Sequence, residues 1–164
     1  VVSIFGNASQ STSRLYQALR EKHPVCYSCS ADLIANKSVG ITNISLSLNP
    51  KETQRAIKII KNEARLFLDK GITDEELAIY KNKYLTKKLL SEQLIRSKMS
   101  SLFSFFANGI DLDFDLVTQK IMATTKDDVM DAAKYAFDFN KVSASLVGKD
   151  VKDINLEKYF KGKE

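Results

Sequence analysis

The chain's two prolines, Pro24 and Pro50, bracket its main strand-forming stretch and so dictate the order of its elements. Proline cannot sit inside a helix without losing a hydrogen bond and clashing with the preceding turn. Upstream, Leu15 and Leu19 lie four residues apart and share one helical face. Ser11 or Thr12 can cap that helix, which Pro24 stops near Lys22. Downstream, Asn49-Pro50 is a helix start, a capping side chain followed by proline at the first helical position. Between the prolines, Val25 to Leu33 and Val39 to Leu48 read as two strands joined by a turn at Asn36 to Ser38, which predicts a hairpin. The apolar set of the second strand changes phase, from Val39 and Ile41 to Ile44, Leu46 and Leu48. That change predicts either a bulge near Thr42–Asn43 or one face becoming buried midway along the strand.

After Pro50 the pattern is helical. Ile57, Ile60, Ala64, Phe67 and Leu68 form one apolar stripe, and Gly71 suits the left-handed position just past the end of that helix. Thr73 with Glu76 makes a capping box. It opens a long helical stretch to about Asn108, broken near Ser91. Asp111 or Asp113 caps a further helix, and Thr125 with Asp128 opens another. Residues Lys141 to Gly148 alternate like a strand. Strands and helices are thus segregated, which predicts an α+β domain of two layers, with helices on one face of a largely antiparallel sheet. The expected organisation is one domain over residues 1–150 and a charged tail over 151–164, with an amphipathic piece at Leu156 to Phe160. Since Val1-Val2-Ser3-Ile4-Phe5 lacks an initiator Met and a signal pattern, the chain reads as part of a longer protein.

Composition narrows the function classes. A 44% hydrophobic and 27% charged chain is ordinary for a globular protein, and no apolar run is long enough to span a bilayer. The net charge is +5, but its lysines are spread along helices and no nucleic-acid module appears, so neither nucleic acid nor membrane is expected as a partner. His23 is the sole histidine and sits in a turn beside Pro24. No zinc-hydrolase motif, nucleophile elbow or phosphate-binding loop can be assembled. Cys26 and Cys29 form C-x-x-C, yet on a strand an odd spacing sends the two sulfurs to opposite faces, which argues against a shared metal or a disulfide. The chain is therefore expected to hold no metal and no catalytic residues of its own. Two free cysteines fit a reducing cytoplasm.

The residues that remain are Arg20, on the last turn of the first helix, and Tyr27, on the strand that follows. A helix that turns back into a strand can bring both to one end of the sheet. Arginine offers five donors and a permanent charge, and tyrosine a hydroxyl on a rigid ring. Together they can hold a peptide carbonyl, a carboxylate or a developing oxyanion. The plainer reading pairs Arg20 with Glu21 or another acid and half-buries Tyr27 in the strand.

The stretch Ser13-Arg14-Leu15, Leu19-Arg20-Glu21-Lys22 and Tyr27-Ser28 resembles a segment of the pitrilysin/insulinase family of zinc peptidases. The resemblance continues through the strand Gly40 to Leu48, and then through Gly71-Ile72-Thr73-Asp74-Glu75-Glu76-Leu77 with Lys81-Asn82. It closes on Ala123 to Val129 and Leu146-Val147-Gly148. It implies the zinc-free, non-catalytic C-terminal domain of such enzymes, whose domain begins upstream of Val1 with a further strand and helix. It also implies a homologous partner half, in the same chain or in a separate subunit of a dimer. That half carries H-x-x-E-H and the zinc, while Arg20 and Tyr27 match the substrate-binding positions of the zinc-free half. The same family includes non-proteolytic core subunits, so a scaffold role is the alternative. Two departures stand out. The glycine-rich loop before Ser13-Arg14-Leu15 holds one glycine here, Gly6, and the small residues before Tyr27 are replaced by Pro24-Val25-Cys26.

Overall fold

A computed structural model of the chain describes residues 1–6, 11–35, 38–109, 113–149 and 151–161. The order is α1 (Val2–Gly6), α2 (Arg14–Tyr16), a π-helical turn (Gln17–Lys22), β1 (Cys26–Ala35) and β2 (Gly40–Leu48). A short 3-10 turn at Pro50–Glu52 leads into α3 (Thr53–Lys70), α4 (Asp74–Glu92), α5 (Ile95–Ala107), α6 (Phe114–Ala123) and α7 (Lys126–Ala136). After a second 3-10 turn at Phe139–Lys141 comes α8 (Glu157–Lys161). The fold is α+β, a two-stranded antiparallel hairpin covered by helices.

The start and stop signals act as their chemistry requires except at α2, whose N-cap is Ser13, without a side-chain cap bond, rather than Ser11 or Thr12. Asn49 accepts the Lys51 amide at 3.1 Å. Thr73 and Glu76 exchange both capping-box bonds at the head of α4, and Thr125 and Asp128 do the same for α7. Asp113 caps α6. Asp111, the other residue considered for that role, lies outside the described residues. Gly71 closes α3 at φ +69° and Gly109 follows α5 at φ +63°, a region where a side chain would clash. The α4–α5 break falls at Gln93 and Leu94, close to the expected position.

The core forms where α1, α2, the inner face of the hairpin, α3 and α7 meet. Phe5, Phe67 and Phe137 make an aromatic triangle with ring centroids 4.5–5.8 Å apart. Around it lie Leu15, Leu19, Ala31, Ala56, Ala64, Val129 and Ala133, all buried. Gly6 is part of α1 rather than of a loop. A Cβ there would meet Leu15 Cδ1 at 2.6 Å and the Ala31 Cβ at 2.8 Å, so α1 reaches the hairpin only because this position has no side chain.

Two expectations are corrected. The 141–148 segment is not a strand: past Lys141 it forms no ladder among the described residues, and Val147 is 95% exposed. Alternation suits a strand, but a strand also needs a neighbouring backbone to pair with. Second, β2 pairs regularly through Thr42 and Asn43, and the irregularity lies in β1, between Cys26 and Ser28. The change of phase in β2 comes from the other cause considered, burial that begins midway along the strand. Leu33, Ile34, Val39 and Ile41 are exposed at the far end of the hairpin, beyond the helices that cover Ile44, Leu46 and Leu48. The charged tail carries α8 where the amphipathic piece was expected, and α8 packs on α3 with Lys61 Nζ donating to the Tyr159 carbonyl at 3.3 Å. No helix among the described residues is long and apolar enough to cross a membrane.

Candidate functional site

Arg20 and Tyr27 sit on either side of the turn where helix becomes strand. The turn is built from wide hydrogen bonds. The His23 amide donates to Ala18 O five residues back, and the Val25 amide to Leu19 O, each at 3.0 Å. Such π-type spacing widens the last helical turn and re-aims the residues on it. The Leu19 carbonyl also faces the Cys26 thiol at 3.8 Å. One carbonyl thus fastens the start of β1 to the end of the helix, with Arg20 next to it in sequence.

Arg20 is exposed, and its guanidinium carbon stands 5.2 Å from the centroid of the Tyr16 ring. That ring lies one helical turn earlier and orients the cation from below. Tyr16 was not among the residues singled out from sequence, although its four-residue spacing to Arg20 carried the signal. Tyr27 is the extra residue of the β1 bulge. Cys26 pairs with Leu48 and Ser28 with Ser47, which leaves Tyr27 without a partner on β2 and 73% exposed. The half-buried strand position considered for it is therefore not the one it occupies. Both side chains project to solvent at the same end of the hairpin, with donors available: the guanidinium and the phenol hydroxyl.

The bulge also revises the cysteine geometry. Cross-strand partners share a face, and Leu48 and Leu46, two residues apart, face the same way. Cys26 opposes Leu48 and Cys29 opposes Leu46, so both sulfurs are on the inner face rather than on opposite faces. The extra residue supplies the missing half-period. Cys29 is buried and Cys26 half-buried. Burial pushes the Cys29 thiol up to about 11, helped by neighbouring Cys26, and pushes Cys26 upward as well.

A second polar constellation supports this corner of the molecule. Arg14 grips Glu76 through Nε at 2.7 Å and Nη2 at 2.8 Å, donates to the Gly71 carbonyl at 2.7 Å, and lies over the Phe67 ring. Lys83 reaches the Thr12 hydroxyl at 2.8 Å, so α4 also holds the segment leading into α2.

The residues present do not fit a zinc ion. His23 is exposed at the helix end, the two cysteines face the core, and no group of three or more His, Cys, Asp or Glu among the described residues could hold a metal.

Comparison with known proteins gives this arrangement a family. A family described as "Peptidase M16 inactive domain" matches residues 2–84. A Helicobacter pylori protein named "Non-peptidase homolog YmxG" is 25% identical over 146 residues, covering 86% of this chain and 33% of that protein. The chain thus spans about a third of the curated relative it matches. The crystal structure of a peptidase M16 inactive domain from Pseudomonas fluorescens superposes with a TM-score of 0.71 at 17% identity, over 82% of this chain and 32% of that one. A structure from Bordetella pertussis Tohama I, provisionally named a zinc protease, superposes at 0.63 with 21% identity, over 80% of this chain and 71% of that one. Arg14, Arg20 and Tyr27 all fall inside the matched region, as do the hairpin and the head of α4. The chain belongs to the peptidase M16 inactive-domain family, the zinc-free domain type of the pitrilysin/insulinase metallopeptidases.

Proposed function

We propose that this chain is the zinc-free, substrate-binding half of a zinc metalloendopeptidase of the pitrilysin/insulinase type. Arg20 holds the backbone carbonyl of a bound peptide, or the oxyanion that develops from it, and Tyr27 is the second donor. A homologous half, in the same polypeptide or in another subunit, supplies zinc and the H-x-x-E-H motif. One observation carries this reading. Arg20 and Tyr27 both face solvent at one end of the hairpin, and one is oriented by a ring while the other is turned outward by a bulge. A side chain that served only packing would have no need of either device.

What these residues can do follows from their chemistry. A peptide carbonyl gains negative charge on its oxygen as it is attacked. Donors fixed beforehand stabilise that charge without reorganising, and losing one typically costs about 100- to 1,000-fold in turnover. The cation on Tyr16 is such a donor. In the assembled enzyme, Arg20→Ala is expected to lower kcat by about that factor and to leave zinc content unchanged. Full activity in the variant would refute the role.

A specific observation favours a second reading. The Helicobacter pylori relative bears the name of a non-peptidase homologue. On that reading the fold serves as a scaffold that binds its partner half without cleaving peptides. The full-length protein decides between the two. Hydrolysis of a peptide library by the zinc-loaded assembly supports the enzyme, and tight assembly with no hydrolysis supports the scaffold.

A further inference from the structure

We propose that Cys26 and Cys29 are a redox-active pair that closes into an intrachain disulfide across the β1 bulge. The warrant is geometric. A C-x-x-C sequence on a regular strand cannot do this, because its sulfurs diverge. Here the extra residue, Tyr27, returns both sulfurs to one face, opposite Leu48 and Leu46. The two thiols lie close enough to act on each other's ionisation, and the Arg20 charge acts on both. Cys26 is the more open of the two and Cys29 the more buried, which assigns Cys26 as the entry point and Cys29 as the resolving thiol.

The oxidant is a small-molecule disulfide. The Cys26 thiolate attacks one of its sulfurs, breaks the S–S bond and releases one small thiolate, which leaves a mixed disulfide on Cys26. Cys29, after losing its proton to solvent, attacks the Cys26 sulfur and expels the second thiolate. The two protein thiols lose two electrons and two protons, and the reagent disulfide becomes two thiols. The raised position of both thiols makes closure slow at neutral pH and faster as pH rises, since the thiolate is the nucleophile. Closure spans Tyr27 in a small ring and fixes its backbone.

The test uses the reduced full-length protein, incubated with oxidised glutathione over a range of alkaline pH and then digested under acid. A peptide in which Cys26 is joined to Cys29, formed faster at higher pH and reopened by dithiothreitol, is the expected result. In Cys29→Ser, glutathione should instead remain attached to Cys26, because the resolving thiol is gone. Both thiols staying free, glutathione persisting on Cys26 of the unsubstituted protein, or crosslinks only between molecules would overturn the proposal. None of these readouts depends on peptidase activity, so the pair stands or falls separately from the function proposed above.

Discussion

Arg14 and Glu76, 62 residues apart in sequence, form a two-pronged ion pair at 2.7 and 2.8 Å that joins α2 to the head of α4. Glu76 is already the closing half of a capping box, with one oxygen taking the Thr73 amide at 2.8 Å. One carboxylate thus caps a helix and docks it. The Arg14 guanidinium, aided by Thr73, holds Glu76 below the usual carboxylate range, against the opposing pull of burial. A carboxyl depressed in the folded state contributes stability that is present above its unfolded value, about 4.3, and is lost as pH falls through the folded one. Glu76→Gln keeps an acceptor for the capping box and removes the charge. The Tm gap between the native protein and this variant should be widest near neutral pH, narrow as pH falls below about 4.3, and close only below the lower folded value. A gap that does not change with pH would show that the charge contributes nothing.

Gly6 tests the packing of α1. In a helix, replacing glycine with alanine ordinarily gains about 0.5–1 kcal/mol. Here the new methyl would meet Leu15 Cδ1 at 2.6 Å and the Ala31 Cβ at 2.8 Å, and both residues are fully buried. Overpacking of this kind costs about 1–3 kcal/mol and should win. Gly6→Ala is expected to lower the midpoint of urea unfolding. Gly40→Ala, where nothing lies within 4 Å of the added methyl, should leave it almost unchanged.

What could be read from sequence follows the range of each interaction. Thr73 with Glu76 and Thr125 with Asp128 are three residues apart, so both helix starts were legible. Gly71 and Pro50 act on their own backbone, and they too were legible. The Arg14–Glu76 pair was not, because nothing local links residues 62 apart. Neither was the position of the bulge, since register belongs to two strands at once. The phase of β2 left a bulge or burial from midway as its two readings; burial from midway is the one found, and the bulge lies in β1 at Tyr27. The same limit explains residues 141–148, whose alternation says nothing about whether a partner backbone lies alongside. Arg20 and Tyr27 were named from the sequence and its family resemblance. The Tyr16 ring and the bulge, which position them, came from the structure.

The α7 capping box gives a local control. Thr125 accepts the Asp128 amide at 3.2 Å, and Asp128 takes the Thr125 amide at 2.8 Å. Thr125→Ala should cost about 1 kcal/mol, the usual value for a lost cap. α7 contributes Val129 and Ala133 to the core, so the loss should appear in global unfolding and not only as fraying of one turn. Hydrogen exchange confined to the first turn of α7, with an unchanged unfolding midpoint, would contradict this.

The sharpest test of the proposed site is Tyr27→Phe in the assembled, zinc-loaded protein. The side chain is 73% exposed on an unpaired bulge residue, so removing its hydroxyl should not disturb the fold. A hydroxyl that meets only the ground-state peptide would raise KM and leave kcat alone. A hydroxyl that donates to the developing oxyanion would lower kcat with little change in KM. The second pattern is expected, with kcat falling about 10- to 100-fold, less than for Arg20→Ala because a neutral donor is weaker than a charged one. If the two residues hold the same oxygen, the double variant should lose less than the product of the single losses, since each donor's effect depends on the other. Strictly multiplicative losses would place Arg20 and Tyr27 on different atoms of the peptide.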